Sequence, residues 1–174
     1  MAVALLIQHG AEVNRQAHNG MSPLYNASAY ARAPVVSMLL AAGADPNAAE
    51  QTGATPLMVS AFYNHVNVVE RLLADGRAAV DAVDSTGSSA LFISAAYGCL
   101  RVVKLLLAAG ANPRLVNNDG LTPFDVAREK GYSAVVAALV KGLRPAGEQG
   151  QGRPGGQHPS QPRGAAFPGR SRRS

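Results

Sequence analysis

The side chains able to do chemistry are few, and their spacing argues against a reaction centre. His9, His18, His65 and His158 show no metal-ligand spacing. Cys99 is the only cysteine, which excludes an intramolecular disulfide and a Cys-based zinc site. His65 and Cys99 stand at equivalent places along the chain, within about one helix width of each other, but no third ligand type accompanies them. Ser28, Ser60 and Ser94 recur among small Ala residues. Short core side chains bonded to their own backbone account for them better than nucleophiles do. The glycines recur at a fixed period and lead into no P-loop lysine, and the carboxylates form no pair on one face. A non-enzymatic protein is expected, with no metal and no cofactor. What remains is recognition chemistry. Tyr30, Tyr63 and Tyr97 follow one another at 33 and 34 residues, and Tyr offers large contact area with a polar handle at low rotamer cost.

Tyrosines so spaced need a scaffold that repeats at the same period, and the chain has one. Gly10, Gly43, Gly76 and Gly110 are separated by 33, 33 and 34 residues, and Gly20, Gly53, Gly87 and Gly120 by 33, 34 and 33. The one extra residue falls in Arg77–Asp81. Between the glycines, Ser22-Pro23-Leu24, Thr55-Pro56-Leu57, Ser89-Ala90-Leu91 and Thr122-Pro123-Phe124 share one slot. A hydroxyl residue followed by Pro opens a helix, because the hydroxyl caps free N–H groups and Pro fits the first turn. Eleven residues further on, Val35-Val36 with Leu39-Leu40 begins a second apolar block. It is repeated as Val68-Val69 with Leu72-Leu73, Val102-Val103 with Leu106-Leu107, and Val135-Val136 with Leu139-Val140. Spacing of i, i+3, i+4 lays these side chains along one helix face. Gly43, Gly76 and Gly110 sit where that helix should end on a left-handed residue. Each unit reads as helix, turn, helix and hairpin loop.

Composition agrees. Apolar residues make up 47% of the 174, aromatics only 5%, and Trp is absent, which favours closely spaced helices over a thick sandwich. The net charge of +5 is unevenly placed. Arg153, Arg163, Arg170, Arg172 and Arg173 face Glu148 alone in residues 145–174, while residues 1–144 are nearly neutral. That last stretch is rich in Gly and Pro, with Phe167 its one large apolar residue, and is expected to be disordered. The apolar run at Met1 stops at Gln8, too short to span a membrane and without the basic start of a signal peptide.

The period, the Thr-Pro-Leu slot and loops such as Gly43-Ala-Asp-Pro-Asn-Ala and Gly110-Ala-Asn-Pro resemble the ankyrin repeat over roughly residues 2–143. The resemblance implies an all-α solenoid of helix-turn-helix units with hairpin loops, followed by the disordered tail. It divides the chain into a partial repeat at 1–16, holding only a second helix and loop, and four repeats at about 17–49, 50–83, 84–116 and 117–144. The tail is 145–174. The His usual after Thr-Pro-Leu is replaced by Tyr25, Met58, Phe92 and Asp125, which predicts weaker individual repeats. The missing first helix of 1–16 predicts a piece of a longer array, since solenoid ends need polar caps. Asp125, Arg128, Glu129 and Lys130 give the opposite end such a cap.

The resemblance further implies a protein partner, bound in a concave groove of hairpin tips and first helices. Tyr30, Tyr63, Tyr97 and then Lys130 fall at one groove position, with rings expected roughly 10 Å apart, and Phe62 adds a second aromatic. The hairpin tips His18, Asn19, Gln51, Thr52, Ser85, Thr86, Asn118 and Asp119 complete the candidate surface. No membrane and no small-molecule substrate is expected, and the chain is read as a monomer working inside the cell, in cytoplasm or nucleus. Two alternatives stand beside this. The chain is part of a longer ankyrin scaffold or of a multidomain signalling or ubiquitin-pathway protein, or Arg170-Ser-Arg-Arg173 contacts nucleic acid weakly and in a salt-sensitive way.

Overall fold

The computed structural model describes residues 2–143, so the tail at 145–174 lies outside the described residues. Nine helices form among them. α1 spans Ala2–Gln8, and four pairs follow: α2 (Pro23–Ala29) with α3 (Ala33–Ala41), α4 (Pro56–Phe62) with α5 (Val66–Ala74), α6 (Ala90–Ala96) with α7 (Leu100–Ala108), and α8 (Pro123–Glu129) with α9 (Ser133–Gly142). No strand forms among the described residues; an isolated bridge joins Val83 and Ser89.

The hydroxyl-Pro slot opens the first helix of each pair. Ser22, Thr55, Ser89 and Thr122 are extended N-caps whose hydroxyls accept the N–H of Tyr25, Met58, Phe92 and Asp125 at 3.1, 3.3, 3.2 and 3.2 Å. Pro stands at the first turn in α2, α4 and α8, where its missing N–H costs nothing. Only Asp125 closes the reciprocal bond with a carboxylate, accepting the Thr122 N–H at 3.1 Å. The Met58 sulfur, 3.5 Å from the Thr55 N, is a weak substitute.

Every first helix ends the same way. The backbone N–H of Arg32, His65, Cys99 and Tyr132 bonds the carbonyl of Ala27, Ser60, Ser94 and Ala127 at 2.8–2.9 Å. This closure needs a left-handed residue just before it. Gly98 and Gly131 supply it without strain, but Ala31 (φ 55°) and Asn64 (φ 57°) hold it with a side chain attached.

The pairs stack in two layers. In the inner layer α2 packs on α4, α4 on α6 and α6 on α8; in the outer layer α1 and then α3, α5, α7 and α9 follow one another. The shared core is the predicted apolar face. Leu24, Leu57, Leu91, Leu72, Leu106 and Leu139 are buried to within 1%, each such side chain contributing about 1.5–3 kcal/mol. Two lines of hydrogen bonds tie neighbouring units. The Asn14 Oδ1 accepts the Asp45 N–H at 2.7 Å, the Asn47 Oδ1 that of Ala79 at 2.7 Å, and the Asp81 Oδ1 that of Asn112 at 2.9 Å. At the hairpin tips the backbone N–H of Gln51, Ser85 and Asn118 reaches the carbonyl of Asn19, Thr52 and Thr86 at 3.1, 2.8 and 2.9 Å.

One core expectation needs correction. The hydroxyls of Ser60 and Ser94 donate to the carbonyls of Leu57 and Leu91 at 2.9 and 3.0 Å, as expected. The fully buried Ser28 hydroxyl has no partner among the described residues. Counted from the cap, Ser28 sits one place later than Ser60 and Ser94, in the slot that Ala61 and Ala95 fill. Ala61 and Ala95 are likewise fully buried there.

Candidate functional site

The four residues of the predicted groove position are the C-caps of the first helices: Tyr30, Tyr63, Tyr97 and Lys130. A C-cap leaves the helix cylinder, so these side chains stand clear of the core. Tyr30 is 73% exposed, Tyr63 and Tyr97 are each 55% exposed, and Lys130 is exposed.

Phe62, itself 41% exposed, lies with its centroid 4.9 Å from Tyr63 and 4.7 Å from Tyr97, edge-on to both at 88° and 69°. Tyr63 stacks at 5.7 Å on His65, whose Nε2 is 3.0 Å from the Ala29 carbonyl of the preceding unit. The aromatic cluster therefore crosses one unit junction through its rings, and the His65 hydrogen bond ties it across a second. Tyr30 stands apart from it. It borders an apolar hollow of about 660 Å³ beside α1, with Leu6, Ile7, Val13, Pro23 and Leu39 among its walls.

All eight predicted tip residues are exposed, and several also hold the stack together. The Gln51 and Asn118 amides donate to the carbonyls of His18 and Ser85 at 2.6 and 3.0 Å, and the Thr86 hydroxyl to Asp84 at 2.6 Å. The Thr52 hydroxyl donates to Glu50. Asp119 takes a bond from the Asn117 amide at 3.3 Å. Asn19 turns inward on its own hairpin, accepting the Met21 N–H at 3.1 Å.

Charge adds what the tips alone do not reveal. Hairpins and first helices over 17–31, 50–64 and 84–98 carry no Lys or Arg; their formal charges are Glu50 and Asp84. Both carboxylates sit at hairpin bases and use one oxygen each to close the turn. Glu50 Oε1 accepts from Thr52 and Ala54, and Asp84 Oδ1 from Thr86 and Ser88. Burial pushes the Glu50 carboxyl up, but the bonds from Thr52 and Ala54 outweigh it and hold the group below its ordinary range. Beside them lies Tyr25, only 8% exposed. Burial first, then the Glu50 charge and Tyr63, push its phenol up, so it stays protonated. Glu50, Asp84 and Tyr25 were not among the predicted site residues; the shared slot of Glu50 and Asp84 in the repeat was the available signal.

The chemistry-bearing residues are not gathered. Among the described residues no three of His, Cys, Asp and Glu converge to hold a metal. Cys99 is buried, its thiol pushed up by desolvation, the reverse of an activated nucleophile. His158 and the Arg170-Ser-Arg-Arg173 cluster fall outside the described residues. No helix among those residues is long and apolar enough to cross a membrane.

Stacked helix pairs joined through hairpin tips, with side chains displayed from the C-caps, define a helical-repeat solenoid. A family model of ankyrin repeats in three copies matches residues 1–84, 38–116 and 76–147, and the chain belongs to the ankyrin-repeat family. A comparison with curated proteins gives no match. Ankyrin repeats are a generic protein–protein interaction module, and the family is generally non-catalytic.

Proposed function

We propose that this chain grips a partner protein through the concave groove of its repeats, with Tyr30, Phe62, Tyr63, Tyr97 and Lys130 as the contact row. The hairpin tips form its rim. The reading rests on one observation: four large aromatic rings stand 41–73% exposed on one side of the stack. Three of them are already packed against one another. Pre-positioned aromatics lose little freedom on binding and make effective interface anchors. No enzymatic role is assigned, and the site of action is read as intracellular.

The test is affinity capture from cell extract with the full chain and with Tyr30→Ala, Tyr63→Ala and Tyr97→Ala combined, both baits matched by helical circular dichroism. A partner held by the first and lost by the second supports the groove. Identical captures by both baits would sink it.

A second reading, a role within a longer ankyrin scaffold, is favoured by the apolar hollow beside α1, where Leu6 is 60% exposed. Aggregation of the isolated chain, relieved by fusing one further repeat ahead of Met1, would support it. A chain that stays monodisperse at high concentration speaks against it.

A further inference from the structure

Behind the aromatic cluster lies a smaller hollow, bounded by Tyr25, Met58, Phe62, Tyr63, Asp84 and Ile93, with a volume of about 240 Å³. Pockets for drug-sized ligands run to roughly 300–1,000 Å³, so this one suits a single long side chain better than a cofactor. Its walls are aromatic and aliphatic, yet it holds a carboxylate, which only accepts, and a phenol, which can accept as well as donate. The Tyr25 side chain is 8% exposed and borders the hollow, and its hydroxyl still reaches solvent there rather than being sealed in the core. Asp84 spends Oδ1 on its own hairpin and leaves Oδ2 free. Glu50, whose charge reaches Tyr25, likewise keeps Oε2 free.

These facts narrow the occupant. An apolar side chain would bury the Tyr25 hydroxyl and the Asp84 carboxylate without partners, which costs about 1–3 kcal/mol per group. An anionic one would meet two carboxylates with no Lys or Arg on the surrounding hairpins and first helices. A cation fits both the field and the aromatic faces. Of the two available, the guanidinium is planar, weakly hydrated and carries five donors in a fixed fork, whereas an ammonium must shed a tightly held water shell.

We propose that this hollow receives an Arg side chain from an extended peptide segment of the partner protein, with Phe62 and Tyr63 as its aromatic walls, Asp84 as counter-charge and Tyr25 as acceptor. The inference rests on the groove reading above and names the chemistry of what the groove holds.

The test is a titration of the full chain, followed through the methyl resonances of Met58 and Ile93. The probes are a blocked Gly/Ser heptapeptide with Arg at its centre and its Lys and norleucine counterparts. The Arg peptide should shift both methyls in a saturable way, the Lys peptide more weakly, and the norleucine peptide not at all. Asp84→Asn keeps the Oδ1 acceptor that closes the hairpin but removes the charge, and should weaken the Arg peptide about tenfold, the loss of one charge-assisted bond. Equal binding of the norleucine peptide, or an unchanged affinity in Asp84→Asn, overturns the proposal. So does a response seen only after the arginines of 145–174 are replaced by Gln, which would make the chain's own tail the occupant. A partner that is lost on the tyrosine substitutions but retained by Asp84→Asn leaves the groove reading standing and sinks this one alone.

Discussion

Phe62 reaches across a unit junction to meet Tyr97 edge-on, with ring centroids 4.7 Å apart. The contact joins the exposed end of α4 to that of α6, so a side chain displayed for recognition also helps set the angle between units. An edge-to-face pair contributes about 0.5–1.5 kcal/mol beyond its buried area. A double-mutant cycle of Phe62→Leu and Tyr97→Leu, read by urea unfolding, should return a coupling in that range. A coupling near zero would mean that the two rings only share a surface.

The core prediction is larger. Leu72 and Leu106 are both fully buried, and replacing either by Ala should destabilise the chain by about 2–5 kcal/mol, through lost transfer energy and the cavity left behind. Chemical denaturation measures it directly. A loss under about half a kcal/mol, the scale of an exposed site, would reverse the assignment of buried and exposed helix faces.

Ser28 should respond in the opposite sense to its apparent equivalents. Ser28→Ala removes a buried hydroxyl without a partner among the described residues and should leave stability unchanged or raise it by up to about 1 kcal/mol. Ser60→Ala gives up the bond to the Leu57 carbonyl and should cost about 0.5–1.5 kcal/mol. Equal losses in the two variants would show that the Ser28 hydroxyl is bonded in solution.

Ala31 holds φ 55° at the place where the later units have Gly98 and Gly131. A left-handed Ala costs roughly 1–2 kcal/mol, part of which glycine returns as unfolded-state entropy. Ala31→Gly should therefore stabilise by about 0.5–1 kcal/mol in thermal or urea unfolding, and Asn64→Gly by less, because Asn tolerates this region. A fall in stability for Ala31→Gly would place the strain elsewhere.

Acid should loosen the Glu50 hairpin and the start of α8 first. The Thr122 hydroxyl and N–H, followed by the Arg128 charge, hold Asp125 below its usual range, and Glu50 is also depressed. A carboxyl depressed on folding contributes stability that is complete above its unfolded pKa and lost as pH falls through the folded value. The unfolding midpoint should thus hold steady at neutral pH and drop once pH passes below the ordinary carboxylate range. Glu50→Gln should flatten that drop. An acid profile identical in variant and parent would remove Glu50 from the account.

Much of this architecture was open to inspection in the residues themselves. The cap hydroxyls of Ser22, Thr55, Ser89 and Thr122 and the apolar faces ending in Leu72 and Leu106 follow from local rules repeated at a fixed period, while the outward place of Tyr30, Tyr63 and Tyr97 was implied by the ankyrin resemblance. The remainder depends on side-chain rotation and on contacts between units. Nothing in the order Phe62-Tyr63 says that Phe62 turns toward Tyr97, or that Tyr30 is left out of the cluster. Ser28 looked like Ser60 until the count from the cap separated them by one place, a 100° rotation about the helix axis. The Tyr25 hollow was hidden for a similar reason, since its walls come from neighbouring units.

The tip-to-tip bonds from Gln51, Ser85 and Asn118 to the carbonyls of Asn19, Thr52 and Thr86 are made by main-chain atoms. They hold even where the chain carries one extra residue between Gly76 and Gly87. Apart from Gln51 and Asn118, whose amides also bridge units, a structure joined this way is largely indifferent to which side chains its tips carry. Evolution can exchange those letters singly, testing new specificities while the spine that presents them stays in register. The same indifference makes the tips the natural place for an engineer to write a new binding sequence.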